Sequence, residues 1–483
     1  MKKIALLLVV FLTTMVLIGC SGNDDGGDLK ISVYKGGYGE KWINTIARKF
    51  EAEKGITVEI EANPGLQADI PTRLQSGIGD DIFFSHGIIW EKAAMEGLIE
   101  DISDIYEKEV ENGVKLKDRI EPNFLSTAKL GSKYYKIPWT NGVGGLVYNG
   151  KMFEQNGWEV PKTYDELVAL CETIYNANLI VPGTTKTYVK PFVWSQETYY
   201  WDYLVFDWWA QLAGTEFFDE YVKVESPALF NPAVYSGQQE AFRAWNNMVG
   251  LKPWYSMENS SGMKYMAAQT DFVNGYAAMI PCAQWLEYEM LDIIDEATKE
   301  NFEMRMMPAP FLQNAKKDAD GEYVKVNYAV GAGDSIIIPA NAPHKELAKE
   351  FLLFLAKQEN IKSFTKDTNG VMLAMKYDGI DFASENLSKF AKDVININKE
   401  SKKISLYSNS IFILDKKFSI DWPTSGIQHY STFYMHYNNM DYMKNPAGWL
   451  ALPGNEKSVE EIFVSAYESI SSSWSTWLSE TGQ

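Results

Sequence analysis

The sequence predicts an α/β protein organised around a parallel sheet and divided into more than one folding unit. Three observations carry this. The N-terminal third reads strand, helix, strand, helix, strand; later glycine-flanked apolar segments read as crossing strands; and 483 residues are too many for one core. Leu29 to Tyr34 (LKISVY) alternates as a first strand. Gly36-Gly37-Tyr38-Gly39 turns the chain, and Trp42, Ile46 and Phe50 lie on one face of an amphipathic helix. Ile56 to Ile60 (ITVEI) is a second strand, Ile70 to Leu74 opens a second helix, and Asp81 to Ser85 is a third, apolar strand. This spacing is a βαβαβ unit. Ligands of such sheets gather at the carboxyl ends of the strands, here the loops beginning at Lys35 and Ser85.

Three later stretches read as crossovers. They are Ile137 to Asn149, broken by Gly142, Gly144 and Gly145; Phe272 to Trp285, with a buried strand at Ala277 to Pro281; and Val330 to Pro339. A helix then runs from Pro343, with Ala348, Phe351, Leu352 and Leu355 at i, i+3, i+4, i+7. Pro343 falls in its first turn, where the missing N–H costs nothing.

The N-terminus is an export signal. Met1-Lys2-Lys3 is basic, and Ile4 to Ile18 is an apolar run too short and wrongly flanked to span a membrane. It ends in Leu17-Ile18-Gly19-Cys20, which resembles the bacterial lipobox, in which the cysteine thiol takes a diacylglycerol. Residues 1–19 are then a signal peptide. Residues 20–28 are the lipidated Cys20 and a polar tether, SGNDDGGD, that cannot bury a core.

Composition narrows the partners. Lys+Arg 45 against Asp+Glu 64 give a formal charge of −19, and loss of Lys2 and Lys3 with the signal would carry it to −21. An acidic chain repels phosphate backbones, which argues against nucleic acid. Besides Cys20 there are Cys171 and Cys282, whose pairing the sequence leaves open. Aromatic residues make up 14% of the chain, with 15 Trp and 27 Tyr, more than core filling explains.

Several chemical motifs are missing. The glycine turn lacks the Gly-Lys-Ser/Thr ending of a phosphate loop, and no Gly-x-Ser-x-Gly elbow occurs. His86, His344, His429 and His436 have no metal-ligand spacing. Asp318-Ala319-Asp320-Gly321 lacks the closing Glu of a calcium loop and reads as a hairpin turn. No cofactor or metal is expected.

The chain resembles the carbohydrate-binding extracellular solute-binding lipoproteins of bacterial ABC importers. The resemblance rests on the lipobox and on ISVYKGGYGEKW, DDIFFSHGIIWEKAAMEGLIEDIS, YYKIPWTNGVGGLVYN, FVNGYAAMIPCAQW and SIIIPANAPHKELAKEFLLFLA, in the family's order. Thr184 to Ala213 and the tail after Ile380 match it less well. The resemblance implies a two-lobe, periplasmic-binding-protein-like fold of type II, its lobes joined by crossing strands. The N-terminal lobe is expected at 29–138 plus about 278–338, and the C-terminal lobe at about 139–277 plus 339–483. It also implies a monomer, lipid-anchored outside the cell membrane, that takes a sugar or oligosaccharide in the cleft and delivers it to permease subunits, without catalysis.

Aromatic rings pack on the C–H faces of sugars, while carboxylates and amides bond their hydroxyls. On that basis the candidate ligand contacts are Tyr38 and Glu40 after the first strand, and Ser85 and His86 after the third. Trp139 and Asn141 stand at the first crossover, Trp285 follows the second, and Gly331 and Gly333 precede the third. Trp194 and Trp422 lie in loops. Trp201, Leu204, Val205 and Trp208 have the spacing of a helix core face, so those two tryptophans read as core; Trp90 does as well. The alternatives are a lipid-anchored glycan-processing enzyme, since 64 acidic residues leave a catalytic carboxylate pair open, a binding protein for a non-sugar solute, and a static glycan-adhesion lipoprotein.

Overall fold

The structure is a computed structural model, and it describes residues 27–77, 79–195, 200–223, 225–331, 334–406 and 457–481. Cys20, Gly333 and Trp422 lie outside the described residues.

The chain begins as the sequence predicts. Strand β1 (Leu29–Tyr34) leads to helix α1 (Lys41–Lys54), β2 (Val58–Asn63), α2 (Leu66–Ser76) and β3 (Ile82–Ser85). β1 pairs in parallel with both β2 and β3. Helix α1 buries Trp42, Ile46 and Phe50 and ends at Gly55, whose left-handed φ of 71° lets its N–H cap the Glu51 carbonyl. The second helix starts four residues before the predicted Ile70 and carries Pro71 inside it. The short β4 (Ile137–Pro138) completes this passage, and the chain crosses to a second lobe through Asn141 to Val143.

There β5 (Gly144–Asn149), α3 (Tyr164–Ala177), β6 (Lys190–Phe192), α4 (Asp202–Ala213), α5 (Gly237–Trp245), α6 (Tyr265–Val273), β7 (Ala277–Ala283), β8 (Met304–Met307) and β9 (Val326–Tyr328) follow. They build a four-stranded sheet in the order β6-β7-β5-β8, with β9 outside it. The chain returns through Val330 to Asp334 into β10 (Ser335–Ile337), which pairs antiparallel with β3 and β4. The first sheet is thus β2-β1-β3-β10-β4. Helices α7 (Lys345–Leu355) and α8 (Gln358–Asp367) pack on α1, with Phe351 and Phe354 each 5.2 Å from Phe50 and Phe364 4.9 Å from Trp42. Pro343 stands just before α7 rather than in its first turn. A last crossing leads to α9 (Lys389–Glu400) and β11 (Lys402–Ile404), beside β9 in the second lobe. Helix α10 (Val459–Thr481) buries Ile462, Phe463 and Ala466 in the second core.

This corrects the predicted division. Residues 278–328 belong to the second lobe, because β7 lies between β6 and β5 with every residue buried. Only β10 returns to the first sheet. Residues 339–382 belong to the first lobe, because the apolar face of α7 is complementary to Phe50 on α1. Phe272 to Trp285 is therefore no crossover; the third crossing lies between α8 and α9. The expected hairpin around Asp318–Gly321 shrinks to a local turn, since β8 and β9 sit in different sheets.

Candidate functional site

The carboxyl ends of β1 and β3 carry the Lys35–Glu40 loop and His86 on the first lobe. From the second lobe, the turn after β7 brings Trp285 to Glu289 against them. Their approach depends on missing side chains. A Cβ on Gly37 would stand 2.4 Å from the Trp285 Cβ, and one on Gly39 would stand 1.8 Å from the Tyr288 hydroxyl. Gly39 also has φ +59°, so glycine is required there twice over. Trp285 is half-buried and packs against both cores, with Tyr203 edge-on at 6.0 Å.

The hinge lies beneath this seam. Asn141 N–H donates to the Met372 carbonyl and Gly142 N–H to the Val330 carbonyl, both at 2.9 Å. Three crossing segments therefore run side by side. Gly331 has φ +86°, and a Cβ on it would meet the Thr140 hydroxyl at 2.4 Å. Thr140 Oγ1 donates to Asp334 Oδ2 at 3.1 Å and lies 3.4 Å from the Tyr38 hydroxyl. Burial pushes the Tyr38 phenol well above its ordinary value.

The remaining predicted residues separate by burial. Ser85 is buried at the end of β3 and donates to the His86 carbonyl at 2.9 Å. His86 is half-buried, edge-on to Tyr34 at 4.1 Å; desolvation lowers its pKa to about 4, so the ring is neutral near pH 7. Glu40 is held by Lys35 Nζ at 3.0 Å. Asn141 is buried at the hinge and also lines a groove of about 870 Å³ with Glu121, Met372, Asn398 and Lys403.

Two expected stacking rings are core. Trp139 is 0% exposed, enclosed by Tyr38 at 5.4 Å, Phe84 at 5.7 Å and Trp42 at 5.8 Å. Trp194 is 1% exposed, edge-on to Trp245 at 5.4 Å. Protein covers both, so neither offers a face to a ligand. Trp90, Trp201 and Trp208 are fully buried, as their spacing predicts. Cys171 and Cys282 are buried free thiols.

Sequence reasoning passed over several groups at the seam. Gln269 Nε2, on α6, donates to Tyr200 Oη at 2.6 Å and to Glu289 Oε2 at 2.7 Å. Burial raises the Glu289 carboxyl to about 7 and Glu287 to about 6. Glu287 Oε2 accepts from Ser388 Oγ at 2.7 Å. Tyr34 ends β1, and Glu289 lies six residues past β7, so the strand-end rule reaches the first and nearly reaches the second. Nothing in the sequence marks Gln269. Rings at Tyr34, Tyr203 and Trp285, a neutral imidazole and carboxyls of raised pKa suit a polar, hydroxyl-bearing ligand rather than a fixed anion.

Comparison with known proteins agrees with this architecture. A protein 24% identical over 345 residues, covering 70% of this chain and 68% of its own, is the diacetylchitobiose binding protein NgcE of Streptomyces coelicolor. The multiple sugar-binding protein of Streptococcus mutans is 22% identical over 387 residues, covering 78% of this chain and 83% of its own. Among solved structures, the bacterial solute receptor AcbH, described as having an exclusive preference for β-D-galactopyranose, superposes with a TM-score of 0.64 at 15% identity. That match covers 93% of this chain and 98% of AcbH, and it shows a shared two-lobe fold. The profile of the family described as "Bacterial extracellular solute-binding protein" matches residues 36–362, more than half the chain, and the protein belongs to that family.

Proposed function

We propose that this protein is the substrate-binding subunit of a carbohydrate ABC importer, and that it takes a sugar or oligosaccharide between its lobes and hands it to membrane permease subunits. The observation that carries the reading is the seam itself. A partly buried tryptophan, Trp285, faces the glycine-rich loop of the other lobe among tyrosines and carboxyls. Rings stack on sugar C–H faces while carboxyls and amides take the hydroxyls. The family and the sugar-binding relatives support the same role. Within the seam the ligand contacts are His86 and Trp285, with Tyr38, Ser85, Glu40 and Gly331 shaping the loops around them. The protein acts by binding, without catalysis, as a monomer held at the outer membrane face by lipid on Cys20. Among the described residues no helix is long and apolar enough to cross a membrane.

The test is a thermal-shift series with galactose, N,N′-diacetylchitobiose, raffinose and xylo-oligosaccharides. A ligand at 100 times its Kd stabilises the folded state by about 2.7 kcal/mol, so a cognate sugar raises the melting midpoint. Unchanged midpoints throughout, with hydrolysis products accumulating in the same tubes, would replace this reading with a glycan-processing enzyme.

A further inference from the structure

The hydrogen bonds around Glu289 leave one position open, and its chemistry is defined. The buried Tyr200 hydroxyl oxygen accepts from the Gln269 amide at 2.6 Å. Gln269 is fully buried, and its Nε2 spends one hydrogen on Tyr200 and the other on Glu289 Oε2. Glu289 is fixed from behind by a group with no donor left to turn elsewhere. Its other oxygen, Oε1, has no hydrogen-bond partner among the described residues, and it stands 3.2 Å from where a Gly37 Cβ would be. Oε1 therefore faces the Gly37 backbone of the first lobe across the seam. The groups around it are Tyr34, Tyr38, Tyr200, Tyr203 and Cys282, with Asp202 and Asp334 beyond, and none of these supplies a cation.

We propose that Glu289 is a specificity-determining residue of this site, that Oε1 demands a hydrogen-bond donor (a free hydroxyl or amide N–H) from the ligand, and that Gln269 is its positioning residue. The assignment rests on the saccharide reading above. An acceptor-only group at that position, such as a uronate carboxylate or a methyl ether, leaves Oε1 unpaired or opposed, and is rejected. Glycine at position 37 is part of the device, because a Cβ there would stand 2.4 Å from the Trp285 Cβ and 3.2 Å from Glu289 Oε1.

Titration calorimetry tests this with galactose, N,N′-diacetylchitobiose and raffinose as neutral probes, and galacturonate as the acidic counterpart of galactose. Glu289→Gln keeps the shape but turns an NH2 toward the ligand once its own oxygen has accepted from Gln269. The bound neutral probe should lose about 10- to 100-fold in affinity, with a ligand-free melting midpoint no lower than that of the wild type. Wild-type affinity for that probe should rise with pH as Glu289 ionises, and the Glu289→Gln profile should be flat. Gln269→Met should shift the inflection to higher pH, because the lost amide bond favours the ionised carboxylate; a residue that merely fills space would leave it in place. A Glu289→Gln protein that binds the neutral probe within threefold of wild type, with the same pH profile, overturns the proposal alone. Galacturonate bound as tightly as galactose does the same. If the wild type binds none of the neutral probes, the saccharide reading and this assignment fall together.

Discussion

Asn398 Nδ2 donates to the backbone carbonyl of Asn141 at 2.5 Å, and Asn141 Nδ2 donates back to Asn398 Oδ1 at 3.3 Å. Asn141 is also tied through its N–H to Met372, whereas α9, which carries Asn398, lays Phe390, Val394 and Ile397 in the second core. The pair thus clasps the first crossing strand to the helix that follows the third. Asn398→Ala leaves the Asn141 carbonyl without its side-chain donor in a buried setting, which costs about 1–3 kcal/mol. Urea unfolding should show that loss, and an unchanged midpoint would mean that water takes over the clasp.

The tryptophans separate by what covers them. Trp139→Ala and Trp194→Ala each open a cavity in a lobe core and should cost about 3–5 kcal/mol of stability. Trp285→Ala should cost less stability and weaken sugar binding by about 1–3 kcal/mol, as a hot-spot contact does. Denaturation midpoints alongside titration with the bound saccharide distinguish the two patterns. A Trp139→Ala protein that keeps its stability and loses only binding would restore that ring to the site.

Two groups at the seam give opposite pH dependences. Burial raises Glu289 from 4.5 to about 7, so the folded state binds more protons than the unfolded state over that window. Its contribution to stability is therefore present below about 4.5 and lost as pH rises to about 7. Burial lowers His86 from 6.5 to about 4, so there the unfolded state binds more protons. Its contribution is present above about 6.5 and lost as pH falls to about 4. Relative to wild type, Glu289→Gln should gain stability as pH rises through 4.5–7, and His86→Gln should gain it as pH falls through 6.5–4. Thermal midpoints taken across pH 4–8 check both signs, and variants that run parallel to wild type contradict them.

Much of the first lobe was legible because its signals are local. Alternation in LKISVY, the Trp42/Ile46/Phe50 face and the apolar IFFS strand each announce themselves within a few residues, and β1, α1 and β3 stand where those patterns put them. The lobe boundaries were not, because they depend on pairing. An all-apolar strand such as β7 reads the same in either sheet, and β10 joins a lobe whose partner strand, β3, lies some 250 residues earlier. Burial of a ring is equally non-local: Trp139 sits in an extended apolar segment that fits a stacking ring as well as a core one, until Tyr38, Trp42 and Phe84 close around it. The Gln269–Glu289 bond joins a helix to a turn twenty residues away, and no spacing rule covers that pairing.

The proposed anchor has its own test. Cys20→Ala should release the protein from the membrane fraction into the medium, since a diacyl group holds firmly where a single chain is marginal. Mass spectrometry of the mature N-terminus should find lipid on Cys20; a variant retained at the membrane and a mature terminus without lipid would reject the anchor.

Capture between the lobes requires them to turn about the hinge near Asn141, Gly142 and Val330. A sugar can drive closure only if it binds the closed form better than the open one, with a few element ends absorbing the rotation, as in the hinge closure of periplasmic binding proteins. Small-angle scattering measures this directly, with and without a saturating concentration of the saccharide that gives the largest thermal shift. The radius of gyration should fall on its addition. A radius that does not change at saturation would contradict interlobe capture and leave a static glycan-binding surface in its place.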